Sequence, residues 1–198
     1  MSVAFRIAPC LWFADQAEDA ASYYTSIFPT SRIVCTTRYG KAGYDHHHRE
    51  PGSVMTVDFE LDGHRFTAMN GGPMFTFNEA ISLQVFCETQ AEIDYYWNRL
   101  SDGGDPTAQA CGWLKDRFGM SWQVVPTGME VWFKDGTTPA TERAMEALLQ
   151  MKKLDLDALH THLTRLQALH TPLVAARQAF ESALADAALA LADDPAAL

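Results

Sequence analysis

Phe5-Arg6-Ile7-Ala8-Pro9-Cys10-Leu11-Trp12-Phe13, followed by Asp15 through Phe28, reads as an apolar strand, a short break at Asp15-Gln16 and an aromatic-rich helix. The chain says nearly the same thing again at 80–100. There Ala80-Ile81-Ser82-Leu83-Gln84-Val85-Phe86-Cys87 precedes Glu88-Thr89-Gln90 and a helical stretch ending near Leu100. Each unit runs on into further strand-like segments. Two matched β-α-β-β-β units predict an α+β fold of paired half-barrels around a cleft, and the lining of that cleft decides the chemistry.

Working outward, Asp15 is placed to cap the first helix, with Glu18 three residues on as its reciprocal partner. Ala20, Tyr23, Tyr24, Ile27 and Phe28 recur at helical spacing as an apolar face, and Pro29 stops the helix. A strand is expected at about Arg32–Tyr39. Gly40–Gly52, with its glycines, proline, charges and His46-His47-His48, reads as a long loop. Ser53–Leu61 and His64–Asn70 form a hairpin joined by Asp62-Gly63, and Gly71-Gly72-Pro73 ends the first half. In the second half Thr89 caps a helix whose Ile93, Tyr96, Trp97 and Leu100 make one face. Gly103-Gly104 breaks it, and short strands follow at Ala110–Leu114 and Met120–Val125. After Pro126 the pattern changes to Ala/Leu-rich helical segments at Pro139–Lys153, Asp157–Leu169 and Pro172–Ala192. The expected division is a domain at 1–135, with modules at about 4–73 and 78–126, and a helical C-terminal extension at 139–198.

Acidic residues number 25 against 15 basic ones, for a net charge of -10, which disfavours nucleic acid because phosphate binding needs clustered Lys and Arg. Cys10, Cys35, Cys87 and Cys111 are widely spaced without a C-x-x-C pair, so zinc spacing is missing and four reduced thiols are expected. The start lacks a basic segment followed by a long apolar run, and no stretch approaches the roughly 20 apolar residues of a membrane span. A cytoplasmic protein without membrane association is the expectation.

Several stretches carry a family resemblance. They include Leu11-Trp12-Phe13 before Asp15, Tyr23-Tyr24 with Ile27-Phe28-Pro29, Pro51-Gly52-Ser53-Val54-Met55, and Asn70-Gly71-Gly72-Pro73. Asn78-Glu79-Ala80-Ile81-Ser82, Gly112-Trp113-Leu114-Lys115-Asp116, Ser121-Trp122-Gln123-Val124-Val125-Pro126 and Leu149-Gln150-Met151-Lys152-Lys153 add to them. Together they resemble the vicinal oxygen chelate superfamily of glyoxalase, bleomycin-resistance and extradiol-dioxygenase proteins. More closely, they are similar to its PhnB-like branch, whose usual label is 3-demethylubiquinone-9 3-methyltransferase. The resemblance implies two βαβββ modules forming a cupped mixed sheet of glyoxalase-like type, usually in a homodimer. The segment after about Asp155 lies outside it.

Metal-using members of that superfamily place one ligand on the first and last strands of each module. Carried over, those positions fall on Ala8, Phe66, Ser82 and Gln123. Ala and Phe cannot coordinate, and neutral Ser and Gln oxygens are poor substitutes for imidazole and carboxylate. No metal is expected in the cup. His46-His47-His48 beside Glu50 is the one dense imidazole cluster, readable as a solvated loop or as a lid.

Strand alternation groups Ala8, Cys10 and Trp12 on one face, and likewise Phe66, Ala68 and Asn70; Ser82, Gln84 and Phe86; Ser121, Gln123 and Val125. If all four sets point inward, Trp12, Phe66 and Phe86 wall the cup, and Asn70, Ser82, Gln84, Ser121 and Gln123 supply fixed polar groups, with Trp113 a further candidate. Such a lining suits a small hydrophobic or aromatic molecule. In the alternative, Asn70 caps the Gly71-Gly72 turn and Gln84 bonds Gln123 in a satisfied core. No inward histidine or carboxylate pair offers a general base. A methyltransferase of the Rossmann type needs a glycine-rich turn, and no G-x-G occurs. The expected function is therefore metal-independent binding of a small molecule without a cofactor. A methyl transfer matching the family label, or drug sequestration as in the bleomycin-resistance members, remains as an alternative.

Overall fold

The computed structural model describes residues 6–134, 138–164, 177–180 and 182–183. The chain divides into two compact units, Met1–Thr127 with Lys152–Leu154, and Gly128–Met151 with Asp155–Leu198.

The first unit opens with β1 (Cys10–Phe13), α1 (Ala17–Ile27), β2 (Arg32–Arg38), the single-turn α2 (Tyr44–His47), β3 (Val54–Leu61) and β4 (His64–Asn70). These strands form one sheet in the order β1-β4-β3-β2, with β1 parallel to β4 and the other pairs antiparallel. The Asp62-Gly63 turn sets its register. Both residues have positive φ, +46° and +78°, as a type I′ turn requires, and the hairpin zips from it with Leu61 opposite His64, Phe59 opposite Phe66 and Asp58 opposite Thr67. One face of the sheet buries Leu11, Phe13, Val57, Phe59 and Ala68 against Ala17, Ala20, Ala21, Tyr24 and Ile27 of α1. The triple histidine falls on α2 and its C-cap, so the 40–52 loop is partly helical.

Asp15 does not cap α1. The helix starts after Gln16, whose side chain makes no cap bond, and Asn70 Oδ1 accepts the Ala17 N–H at 2.8 Å. Because β4 runs parallel to β1 and ends with Asn70 opposite Phe13, its last side chain arrives beneath the helix start. A cap from another strand replaces the local one.

The second module has β5 (Leu83–Cys87), α3 (Gln90–Ser101), a 3₁₀ turn at Pro106–Ala108, β6 (Trp113–Lys115) and β7 (Ser121–Pro126), in the order β5-β7-β6. Thr89 caps α3 in a reciprocal capping box with Glu92, as the sequence predicts. The position of an outer strand beside β6 is reduced to one Ala110–Trp113 bridge. Pro106 and the positive φ of Cys111 and Gly112, +53° and +85°, prevent extended pairing there.

A buried carboxylate ties the two modules together. Asp116, in the β6–β7 turn, accepts Tyr24 Oη–H of α1 at 2.7 Å and Trp122 Nε1–H at 2.8 Å on one oxygen. Its other oxygen accepts the Phe118 and Met120 amides at 2.8 and 3.0 Å. Burial pushes the carboxyl above its usual range, while these four donors pull it back. Phe28 stacks on Tyr96 and on Trp122 at 5.2 and 5.6 Å between ring centres. Lys152–Leu154 completes the unit: Lys152 C=O accepts the Gly112 N–H at 2.8 Å, Lys153 pairs with Asp94, and Leu154 is fully buried.

The second unit contains α4 (Met129–Trp132), α5 (Pro139–Leu149) and α6 (Leu156–Thr164), with Thr138 capping α5. The sequence carries the first of these long helices to Lys153, but it ends at Leu149. The predicted stretches 165–169 and 172–176, and most of 181–192, lie outside the described residues. No helix among the described residues is long and apolar enough to cross a membrane.

Candidate functional site

The register of each sheet assigns the faces. In the first sheet Leu11, Ala68 and Val57 are paired neighbours on the α1 side, whereas Cys10, Thr67, Asp58 and Cys35 form a row on the opposite face. Phe66, Ala68 and Asn70 therefore do not share a face with Cys10 and Trp12. They sit under α1, one residue out of phase with the expectation. The cup-side residues of β4 are Arg65, Thr67 and Met69 instead. Thr67 Oγ1–H donates to Asp58 Oδ1 at 2.6 Å, which puts a carboxylate on the face where none was expected. Burial, with Asp58 adding, raises the neighbouring Cys10 thiol above its ordinary value.

In the second sheet the expected faces match the observed pairing. Gln84, Gln123 and Trp113 are successive neighbours across β5, β7 and β6. Gln123 Nε2–H donates to Ser82 Oγ at 2.8 Å, and Gln84 Nε2–H donates to Gln123 Oε1 at 3.3 Å. This chain of amides holds Gln84 at the free edge of β5. Phe86 projects two residues further along that strand and is 58% exposed.

Along this free edge runs a cleft of about 410 Å³. Phe66, Gln84 and Phe86 line it, together with Phe28, Leu61, Asp62, His64, Leu83, Val85, Tyr96 and Trp122. Three of the eight residues singled out from sequence thus meet in one cavity, and Ser82 and Gln123 support it by hydrogen bonding. Phe66 reaches it from the helix-side face, stacked on Phe59 at 5.4 Å. Burial, with smaller contributions from Cys87, Glu92, Tyr95 and Asp62, pushes the Tyr96 phenol up, so it stays a hydroxyl donor. Sequence reasoning missed Phe28, Asp62, His64 and Tyr96. The Asp62-Gly63 turn could have found two of them, since counting the hairpin from it places Asp62 and His64 at the same end as Phe66.

The other candidates lie elsewhere. Trp12 packs over Gly71, donates its Nε1–H to Gly72 C=O at 2.8 Å and meets Phe75 edge-on at 5.0 Å. It borders a separate cavity of about 330 Å³ with Phe77, Phe118 and Lys115. Asn70 is consumed by the α1 cap and by Val54 C=O, which its Nδ2–H meets at 3.1 Å. Trp113 stands one strand beyond Gln123 and is not part of the cleft lining.

The four positions carried over from metal-using members are Ala8, Phe66, Ser82 and Gln123, and the register moves the β4 one out of the cup, where Arg65, Thr67 and Met69 stand instead. Phe66 faces α1, and Ser82 and Gln123 are bonded to each other. Among the described residues no group of three or more His, Cys, Asp or Glu side chains could grip an ion. This donor set does not fit a divalent cation.

Paired modules of strand, helix and further strands, each forming a sheet with parallel first and last strands, define a glyoxalase-like protein of the vicinal oxygen chelate superfamily. Within it the chain belongs to the family described as 3-demethylubiquinone-9 3-methyltransferase, whose model matches residues 5–125. A PhnB protein from Bacillus cereus described by that same activity is 34% identical, with a TM-score of 0.54, covering 62% of this chain and 100% of its own. Protein PA1353 from Pseudomonas aeruginosa is 22% identical over 62% of this chain and 98% of its own, with a TM-score of 0.47. The fosfomycin resistance protein FosX from Listeria monocytogenes is 14% identical over 65% and 98%, with a TM-score of 0.42. No curated protein matches the chain.

Proposed function

We propose that this PhnB-like protein binds a small hydrophobic or aromatic molecule, without a metal ion, in the cleft along β5. One observation carries the reading: aromatic side chains from both modules converge with the Gln84 amide on a cavity of about 410 Å³, the size and make-up of a small-molecule site. A stacked column of Tyr96, Phe28 and Trp122 forms one part of its wall, and Phe66 on Phe59 another. Rings already fixed by stacking lose little freedom when a ligand arrives. Asp58 on the cup face is bonded to Thr67, and no group of three or more His, Cys, Asp or Glu side chains gathers among the described residues, which supports a metal-free mode of action.

Native mass spectrometry with a metabolite library is the direct test. Retained ligands should be apolar or aromatic, and Phe86→Ala should weaken them by about tenfold, as loss of a large aromatic contact does. Retention of only polar aliphatic metabolites would sink the reading. Stoichiometric zinc, nickel, iron or manganese in the purified protein would refute its metal-free part. The family description favours a second reading, methyl transfer. It requires S-adenosylmethionine to raise the melting temperature, and an unchanged temperature counts against it.

A further inference from the structure

We infer that the cleft selects planar aromatic cations over neutral or anionic aromatics of the same shape, an inference that rests on the binding role proposed for that cleft. Its lining holds one carboxylate, Asp62, and no lysine or arginine. Asp62 makes no ion pair among the described residues, so its charge is not neutralised by a neighbour. Asp62 and Tyr96 line the same cleft, and Asp62 is the smallest of the contributors that raise the Tyr96 phenol, after burial, Cys87, Glu92 and Tyr95. The rest of the wall holds the rings of Phe28, Phe66, Phe86, Tyr96 and Trp122 among aliphatic side chains, with His64 and Gln84 as further polar groups. The faces of Phe, Tyr and Trp rings are electron-rich and attract a cation within about 6 Å of the ring centre, most strongly when water is excluded. Phe86 and Phe66 offer such rings at the cavity, and Phe86 is more than half exposed. A flat cation gains stacking, cation–π attraction and the pull of Asp62 together; a neutral ring gains the first alone, and an anion meets repulsion. The net charge of -10 adds a favourable field for the approach of such ligands.

The turn supplies a clean variant. Asp62 sits at the first central position of the type I′ turn with φ +46°, where asparagine is equally favoured. Asp62→Asn therefore removes the charge and keeps the hairpin.

The test is calorimetric titration of the intact protein at about pH 8, where free imidazole is uncharged, with three bicyclic probes: N-methylquinolinium, 2-methylquinoline and naphthalene-2-sulfonate. N-methylquinolinium should bind about tenfold more tightly than 2-methylquinoline. Asp62→Asn should weaken the cation far more than 2-methylquinoline and so erase most of that preference, and raising salt from about 20 to about 500 mM should weaken the cation selectively. Phe86→Ala should weaken both probes. Equal binding of the cation and the neutral ring, tighter binding of the sulfonate, or a preference that survives Asp62→Asn overturns the cation selectivity and leaves the aromatic cleft standing. Failure of every probe to bind, or binding untouched by Phe86→Ala, removes the cleft reading and this inference with it.

Discussion

At the residue scale, Trp12 and Gly71 show how a side chain that resembles pocket lining can serve the fold. A Cβ on Gly71 would lie 2.1 Å from Trp12 Cζ2, far inside van der Waals contact, so the indole lies flat against the glycine backbone. Gly71→Ala must push Trp12 off its bond to Gly72, and overpacking of this kind costs about 1–3 kcal/mol. A urea midpoint equal to wild type would contradict it. Cys87 offers a second residue-level expectation. The thiol is 1% exposed, and burial, with Glu92 adding, raises it to about 12. A raised value means that thiolate, the reactive form, is scarce near neutrality. Cys87 should therefore stay unlabelled by a thiol reagent at about pH 8 and react once urea unfolds the chain, which peptide mapping would read out. Prompt labelling in the native protein would contradict its burial.

At the scale of elements, Asp116 joins α1 to the β6–β7 turn, and its removal tests whether the modules depend on that joint. Asp116→Asn turns two acceptor oxygens into one acceptor and one donor. Its amide must then face a donor, because the indole N–H of Trp122 cannot accept, and a buried unmatched donor costs about 1–3 kcal/mol. Tyr24→Phe leaves the carboxylate one donor short and should cost about 1–2 kcal/mol. Denaturant curves of both single variants and the double would show non-additive losses if the two groups form one network; simple additivity would mean independent roles. The same elements show what the sequence made legible. Repeated order, apolar periodicity and the Asp62-Gly63 turn sufficed for the modules, the strands and the faces of β5 and β7. They did not fix the phase of β4 against β1, because period-two alternation is equally consistent with either face until pairing is known. Hence Phe66 and Asn70 were assigned to the cup and Asp58 to solvent. Counting from the turn resolves half of this, since it pairs Asp58 with Thr67. That Asn70 caps α1 depends on where a parallel strand ends, which no local pattern reports. The cleft was half legible: Gln84 and Phe86 follow from strand alternation. Phe28 and Tyr96 come from two helices whose stacking is purely tertiary.

At the scale of the whole molecule, we propose a homodimer, on the strength of what the first unit leaves uncovered. Strand β1 ends its sheet with an unpaired edge, and such edges in natural proteins are covered or charged. Ile7, three residues before it, and Met74 and Phe75, the latter edge-on to Trp12 of β1, stand 92%, 77% and 58% exposed. On the face of the first sheet away from α1, Cys10 and Cys35 are exposed and flank the bonded pair Thr67 and Asp58. Scattered exposed apolar residues need no explanation, but apolar residues beside a free strand edge mark a surface that is covered in use. A second copy is a partner that suits this edge, since a two-fold arrangement presents the patch to its equivalent. Light scattering of the purified protein should report twice the mass of one chain. Met74→Asp together with Phe75→Asp should shift it to single-chain mass, raising the dissociation constant by about a hundredfold, as loss of two central apolar anchors does. Unchanged far-ultraviolet circular dichroism of that variant would separate lost association from lost folding. Wild-type protein that stays at single-chain mass up to high micromolar concentration would leave that edge without a partner of its own kind and defeat the proposal.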